Sequence, residues 1–180
     1  MTKCVKEVQL HNFSDDSEIG YGSASYLRTE FIDGRVKCSL VFGKSRTAPL
    51  RKISIPRLEL QAAVLLVRIS EIVQREIEIT FSKICYWTDS EVVLKYIQNE
   101  DKRFTVYVGN RIAEIREKSE VQQWRYCPSK ENPSDDASRG LKPSEMTSEC
   151  RWLVGPSFLK GPESSWPQTN PAERYRRGRS

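Results

Sequence analysis

The sequence has no long hydrophobic run. Its longest uninterrupted apolar stretch, Ala62 to Val67, is far too short to span a bilayer, so no membrane partner is expected. The opening "MTKCVKEVQL" lacks the apolar core of a secretory signal. Histidine is almost missing: His11 stands alone, and none of the five cysteines (Cys4, Cys38, Cys85, Cys127, Cys150) forms a CxxC pair. A structural zinc site is therefore not expected. Odd in number and scattered, the cysteines read as free thiols of a chain in a reducing, intracellular compartment. "RYRRGR" is too short to separate nucleus from cytoplasm. A large excess of one charge sign is absent too. The net charge is +5, but "AERYRRGRS" holds four Arg and one Glu, which leaves +2 for everything before it. Total charge alone does not establish a nucleic-acid partner; the placement of charges has to.

What is present suits one globular domain with a tail: 180 residues, 38% hydrophobic and 29% charged. Val8 to Phe13, "GYGSASYLRT" and "RVKCSLVFG" read as three strands, and their short connections suggest an antiparallel meander. A basic loop, "GKSRTAPLRK", leads to "IPRLELQAAVLLVRISEIVQREI". Here Leu58, Ala62, Leu65, Leu66, Ile69, Ile72 and Val73 share one helical stripe, and Pro56 fits the first turn. "ICYWTDSEVVLKYI" supplies a fourth strand and a short helix from Ser90, with Trp87 read as core. "FTVYVGNRIAEIREKS" is a further helix, "VQQWRYC" a fifth strand, and "NPSDDASRG" a last helix that stops at Gly140. The order βββ-α-β-α-α-β-α implies an α/β fold. It permits strands one and four to lie parallel through a right-handed crossover. Residues 1–141 are expected to form the domain. Residues 142–180 are expected to be a Pro/Ser/Gly-rich linker and basic tail, loosely packed or partly disordered, with Trp152, Phe158 and Trp166 as isolated anchors.

Four acids fall where chemistry gathers in such a fold. Asp15 closes strand one and Asp89 closes strand four, so parallel pairing brings both carboxylates to one sheet edge. Glu59 lies early in the long helix, and Asp135 near the start of the last one. Each has an ordinary reading as well: Asp15 as a turn residue, Asp89 as a helix cap, Asp135 as a partner of the helix dipole, Glu59 as a solvated face. Together they suit Mg²⁺, which takes hard oxygen ligands. Two such ions about 3.5–4 Å apart can stabilise the attacking and leaving oxygens of a phosphodiester. The loop cations Lys44, Arg46, Arg51, Lys52 and Arg57 are placed to hold duplex phosphates. Ser17, Ser90 and Asn132 are small polar groups suited to sugar hydroxyls. Arg174, Arg176, Arg177 and Arg179 are candidates for unspecific affinity.

The blocks "LHNFSDDSEIGYG", "KSRTAPLRKISIPRLELQAA", "YWTDSEVVLKYI", "RFTVYVGNRIAEI" and "WRYCPSKENPSDDASRG" together resemble, in order, the ribonuclease H domain of BEL/Pao-type LTR retrotransposon polyproteins. The likeness runs from about Val8 to Trp166. It implies an RNase H-like fold: a five-stranded mixed sheet, three antiparallel strands then two parallel, flanked by helices. It also implies endonucleolytic hydrolysis of the RNA strand of an RNA–DNA hybrid with two Mg²⁺ ions, Mn²⁺ serving as substitute, to leave a 5′-phosphate and a 3′-hydroxyl. An origin within a larger retroelement polyprotein is implied by the same likeness. By motif, the catalytic, metal-holding acids fall on Asp15 ("FSDDS"), Glu59 ("PRLEL"), Asp89 ("WTDS") and Asp135 ("ENPSDDASRG"). The implied roles are Asp15 and Asp89 bridging or orienting the ions, with Glu59 and Asp135 each holding one side.

Three positions depart from the family pattern. Asp16 replaces a usual Ala, Asp136 a usual Leu, and Tyr126 a frequent His. Asp136 is expected to remove a core contact from the last helix. These departures support an alternative reading, a catalytically impaired or domesticated module that holds nucleic acid or protein without cutting. A truncated polyprotein fragment is the third.

Overall fold

The computed structural model describes residues 4–100 and 103–167. Five strands form one sheet in the order β3-β2-β1-β4-β5. They are β1 (Val5–Ser17), β2 (Gly20–Phe31), β3 (Val36–Thr47), β4 (Lys83–Thr88) and β5 (Trp124–Tyr126). The first three pair antiparallel, while β4 pairs parallel with β1 and β5 parallel with β4. This is the expected mixed sheet. The helices are α1 (Ile55–Glu76), α2 (Glu91–Gln98), α3 (Val106–Lys118), α4 (Ser134–Arg139) and α5 (Arg151–Val154).

Alternation along β1 sorts its side chains to two faces. Leu10 packs under α1 with Leu65, Ile69 and Val73. Asn12 donates to Ser70 of the same helix at 3.1 Å. The opposite face carries Phe13, packed with Tyr26, Trp87, Phe158, Leu159 and Trp166. A third cluster joins α1 to α2 and α3 through Leu60, Leu66, Leu94, Ile97, Ile112 and Ile115. No helix among the described residues is long and apolar enough to cross a membrane.

Several boundaries differ from those read off the sequence. β1 and β2 run further, as Asp15–Ser17 pair with Gly20–Gly22 and the turn shrinks to two residues. β3 continues to Thr47, so Lys44 and Arg46 lie on a strand rather than in a loop. Val121–Gln123 form a 3-10 turn, because the Gln123 side chain accepts from the Glu120 backbone N–H at 2.8 Å. Only Trp124–Tyr126 remain as strand. Gly140 does end α4, at φ +84, a left-handed conformation that suits glycine.

The segment expected to be a loose linker is packed as far as it is described. Phe158, Leu159 and Trp166 are buried, Trp166 to 2% exposure. Arg28 donates to the carbonyls of Leu159 at 2.7 Å and Gly161 at 3.1 Å, and Tyr26 donates to that of Trp152 at 2.8 Å. The reason is the second face of the sheet. Phe13, Tyr26 and Trp87 need cover there, and α4 has only six residues to provide it. The arginines of the C-terminal tail lie outside the described residues.

Candidate functional site

β1 and β4 bring the first two acids together. Ser14 stands opposite Thr88 in parallel register, so the next residues along the two strands are Asp15 and Asp89. The neighbouring-strand spacing of about 4.8 Å sets their separation at the backbone. α1 brings Glu59, and α4 brings Asp135. All four line one cleft of about 620 Å³, with Asp16, Ser17, Glu18, Ser129 and Arg139.

Each carboxylate is held at one oxygen. Ser138 donates to Asp15 Oδ2 at 2.7 Å, and Ser90 to Glu59 Oε2 at 2.6 Å. Ser129 donates to Asp89 Oδ2, and Arg139 to Asp135 Oδ1, each at 2.5 Å. One oxygen of each is thus oriented by the chain, and the acids remain apart. Among the described residues no three His, Cys, Asp or Glu side chains sit close enough to form a ready-made metal cage.

The electrostatics show the strain of this grouping. Asp15, only 6% exposed, is pushed up to about 7, first by burial and then by Asp89, Asp135 and Asp16, while its bond from Ser138 opposes the rise. Asp16 is also raised to about 7, by burial and then by Glu59 and Asp89. Glu59 is raised by burial and Asp89, against its bond from Ser90. Negative charge is therefore costly here without a cation. An all-oxygen donor set with mutual repulsion fits a hard divalent ion such as Mg²⁺.

The remaining expected contacts divide. Ser17 lines the cleft and donates to the carbonyl of Ser138 at 3.1 Å, which ties β1 to α4. Ser90 caps α2, accepting from Val93 N–H at 3.1 Å while it holds Glu59, so it positions an acid. Asn132 does not reach the surface. It is fully buried, donates to the Ser14 carbonyl at 2.8 Å and accepts from Ser134 N–H at 3.0 Å. Its amide fixes α4 on β1 rather than facing a sugar.

Lys44 and Arg46 are exposed and line a second groove with Tyr21, Gln61 and Arg68. Arg51 and Lys52 lie exposed between β3 and α1. Arg57 stacks 4.6 Å from the Tyr107 ring, which Arg111 also approaches at 3.5 Å. Sequence reasoning misses Arg111, because the pairing across α1 and α3 has no signature in residue spacing. Asp16, Tyr21 and Arg46 stand side by side in register on one face. Two strand spacings, about 10 Å, separate the acid's backbone from the cation's.

The departures also have places. Asp16 adds a fifth carboxylate to the cleft. Asp136 is half-buried and paired with Arg151 at 3.0 Å, so an ion pair and not an apolar contact is what it makes here. Tyr126 ends β5 beside Thr88 and packs against the helical cluster.

With this geometry established, comparison with known proteins decides the family. The family described as "Pao retrotransposon-like RNaseH-like domain" matches residues 1–90, half of the chain. The chain belongs to this family. The match takes in Asp15, Glu59 and Asp89, the acids of β1, α1 and the end of β4. The domain of this family is RNase H-like, and here it is a five-stranded mixed sheet flanked by helices. Among solved structures, RNase H1 from the halophilic archaeon Halobacterium salinarum NRC-1 is 16% identical, covering 72% of this chain and 92% of its own, with a TM-score of 0.43. LC11-RNase H1 in complex with RNA/DNA hybrid is 10% identical, with coverage of 72% and 92% and a TM-score of 0.45. An N-terminal RNase H domain from Mycobacterium tuberculosis is 8% identical, with coverage of 73% and 93% and a TM-score of 0.43. A search of curated proteins gives no match.

Proposed function

We propose that the chain is a retroelement-derived ribonuclease H, a divalent-cation-dependent endonuclease that cuts the RNA strand of RNA–DNA hybrids. One observation carries the reading. Four carboxylates from four separate elements, Asp15, Glu59, Asp89 and Asp135, line one cleft in a domain of the Pao RNase H-like family. Asp15 and Asp89 would hold Mg²⁺ or Mn²⁺ from the sheet edge, with Glu59 and Asp135 on either side. Bound there, the ions supply Lewis acidity and lower the pKa of a water.

The chain's own residues orient the donors. Ser138, Ser90, Ser129 and Arg139 each fix one oxygen of an acid. The other oxygen of Asp15, Glu59 and Asp89 accepts no hydrogen bond from the described residues and remains for a cation, while Asp135 Oδ2 lies 3.9 Å from Arg151 Nη2. Lys44, Arg46, Arg51, Lys52 and Arg57 are exposed on the strand, loop and helix that lead to Glu59, where they would take phosphates of the duplex. Ser17, which lines the cleft, is the remaining small polar group that would contact a sugar. Water adds to phosphorus as the bond to the 3′ oxygen breaks, which gives the 5′-phosphate and 3′-hydroxyl ends.

The fifth acid favours a second reading. Asp16 adds a fifth carboxylate beside Glu59 and Asp89, which suits a catalytically impaired module that holds nucleic acid or protein without cutting. A panel of labelled substrates separates the two. Cleavage of the RNA strand in a hybrid, but not of duplex DNA, in Mg²⁺ or Mn²⁺ supports the nuclease, and Asp89→Asn should abolish it. Hybrid binding without product selects the module, and activity that persists in Asp89→Asn rejects the site.

A further inference from the structure

We infer that Arg151 is a positioning residue of the acidic cleft, and that the chain after α4 is through it a working part of the site. The inference rests on the proposed function and deepens it. α4 is a single short helix, and the groups that bind it to the sheet lie on its inner side. Ser134 donates to the Phe13 carbonyl at 2.7 Å, Ser138 reaches Asp15, and Ala137 sits against Gly22. Asp135 and Asp136 are left on the outer side.

Arg151 grips that outer side as a fork. Its Nε and Nη2 donate to the two oxygens of Asp136 at 3.2 and 3.0 Å. Its Nη1 donates to the Lys130 carbonyl at 2.7 Å, in the turn that precedes α4. Nη2 lies 3.9 Å from Asp135 Oδ2. The planar guanidinium thus spans the entry to α4 and its first turn, a rigid bidentate geometry that lysine does not reproduce.

The arginine is itself held. The Trp152 carbonyl accepts from Tyr26, and the Trp152 ring packs so closely on β3 that a Cβ at Gly43 would meet it at 2.5 Å. Gly155 at φ +76 turns the chain against the Tyr26 ring, and Phe158, Leu159 and Trp166 anchor the residues beyond that turn. The sheet, α5, Arg151, Asp136 and α4 form one continuous mechanical path to Asp135. Asp136, which departs from the family pattern, is the acceptor that completes it.

A merely electrostatic neighbour would act oppositely. Loss of a guanidinium near Asp135 would leave the cleft more negative and tighten cation binding. Positioning predicts weaker binding, since Asp135 loses its fixed place.

The test uses the full chain with Mn²⁺ as probe, read by electron paramagnetic resonance without substrate, and hybrid cleavage as a second readout. Arg151→Ala is expected to weaken Mn²⁺ binding about fivefold and to lower kcat about tenfold, with KM within twofold. Asp136→Ala should match it, and the double variant should be no worse than either single one, as for residues acting through one contact. Arg151→Lys should recover part of both losses. Unchanged or tighter Mn²⁺ binding in Arg151→Ala overturns the inference, as does a double variant whose losses multiply. Should Arg151→Ala not fold, Arg151→Lys and Asp136→Asn decide, and values equal to the parent's refute it. A parent chain that binds Mn²⁺ without cutting defeats the nuclease reading alone, and the Mn²⁺ shift still judges Arg151. A parent that binds no Mn²⁺ overturns both.

Discussion

Replacing Trp166 with alanine tests whether the C-terminal segment is part of the fold. The indole is 2% exposed, and its ring centroid lies 5.1 Å from His11 and 6.0 Å from Trp87, each edge-on. Its Nε1–H donates to the Gly161 carbonyl at 3.2 Å, and Arg28 and Arg125 lie 5.3 and 5.6 Å from the ring. Truncating a buried Trp to Ala costs about 3–5 kcal/mol in transfer and cavity terms. For a domain of this size, each kcal/mol lowers Tm by about 2–4 °C. Trp166→Ala should therefore melt about 10 °C below the parent in a thermal scan followed by circular dichroism. It should also unfold at lower urea concentration with an unchanged m value. A shift under about 2 °C would overturn this expectation, because it would mean that 143–167 lies on the surface without contributing to the core.

Two further outcomes depend on buried groups. His11 is fully buried and neutral: Nδ1 accepts from Trp87 Nε1–H at 3.1 Å, which leaves Nε2–H to donate to Gln9 at 3.0 Å. Burial, then Arg28, Arg125 and Lys83, hold its pKa well below the usual 6.5. The unfolded chain then takes the proton first, so this contribution to stability is full above pH 6.5 and is lost as pH falls toward the folded pKa. Asp15 and Asp16, raised to about 7, run the opposite way, and their share is lost as pH rises through 7. The His11 share is therefore read as a difference: stability from about pH 7 to about pH 5 should fall more steeply in the parent than in His11→Gln, and parallel curves would contradict this. In Gly22→Ala the new Cβ would meet Ala137 Cβ at 2.6 Å and its backbone at 3.0 Å, pushing α4 off β2. Overpacking of this kind costs about 1–3 kcal/mol, and urea unfolding should show that loss together with weaker Mn²⁺ binding. Parent-like values for both would place α4 elsewhere.

The sequence reveals the sheet and the acids through strand ends. "FSDD" and "YWTD" each close an apolar alternation on a carboxylate, and parallel pairing then makes Asp15 and Asp89 neighbours. Glu59 and Asp135 depend on how α1 and α4 dock, so their joint approach is legible only with the family blocks. The differences share one cause: in a sequence, polarity reads as exposure. Asn132 looks like a surface contact but is buried, because its amide satisfies the Ser14 carbonyl and Ser134 N–H. "GKSRT" looks like a loop because its side chains are charged, whereas its backbone completes the ladder of an edge strand. The segment after Leu141 has the composition of a linker, yet its large side chains Trp152, Phe158, Leu159 and Trp166 bind it to the second face of the sheet. The Asp136–Arg151 pair joins residues of opposite charge, which no periodicity marks.

Whether Asp15, Glu59, Asp89 and Asp135 act as one cation site is decided by titrating the full chain with Mn²⁺, followed by electron paramagnetic resonance. The parent should bind Mn²⁺, and Asp15→Asn, Glu59→Gln, Asp89→Asn and Asp135→Asn should each weaken that binding at least tenfold. Binding that is absent in the parent, or untouched by these four changes, would mean that the cleft is not a cation site.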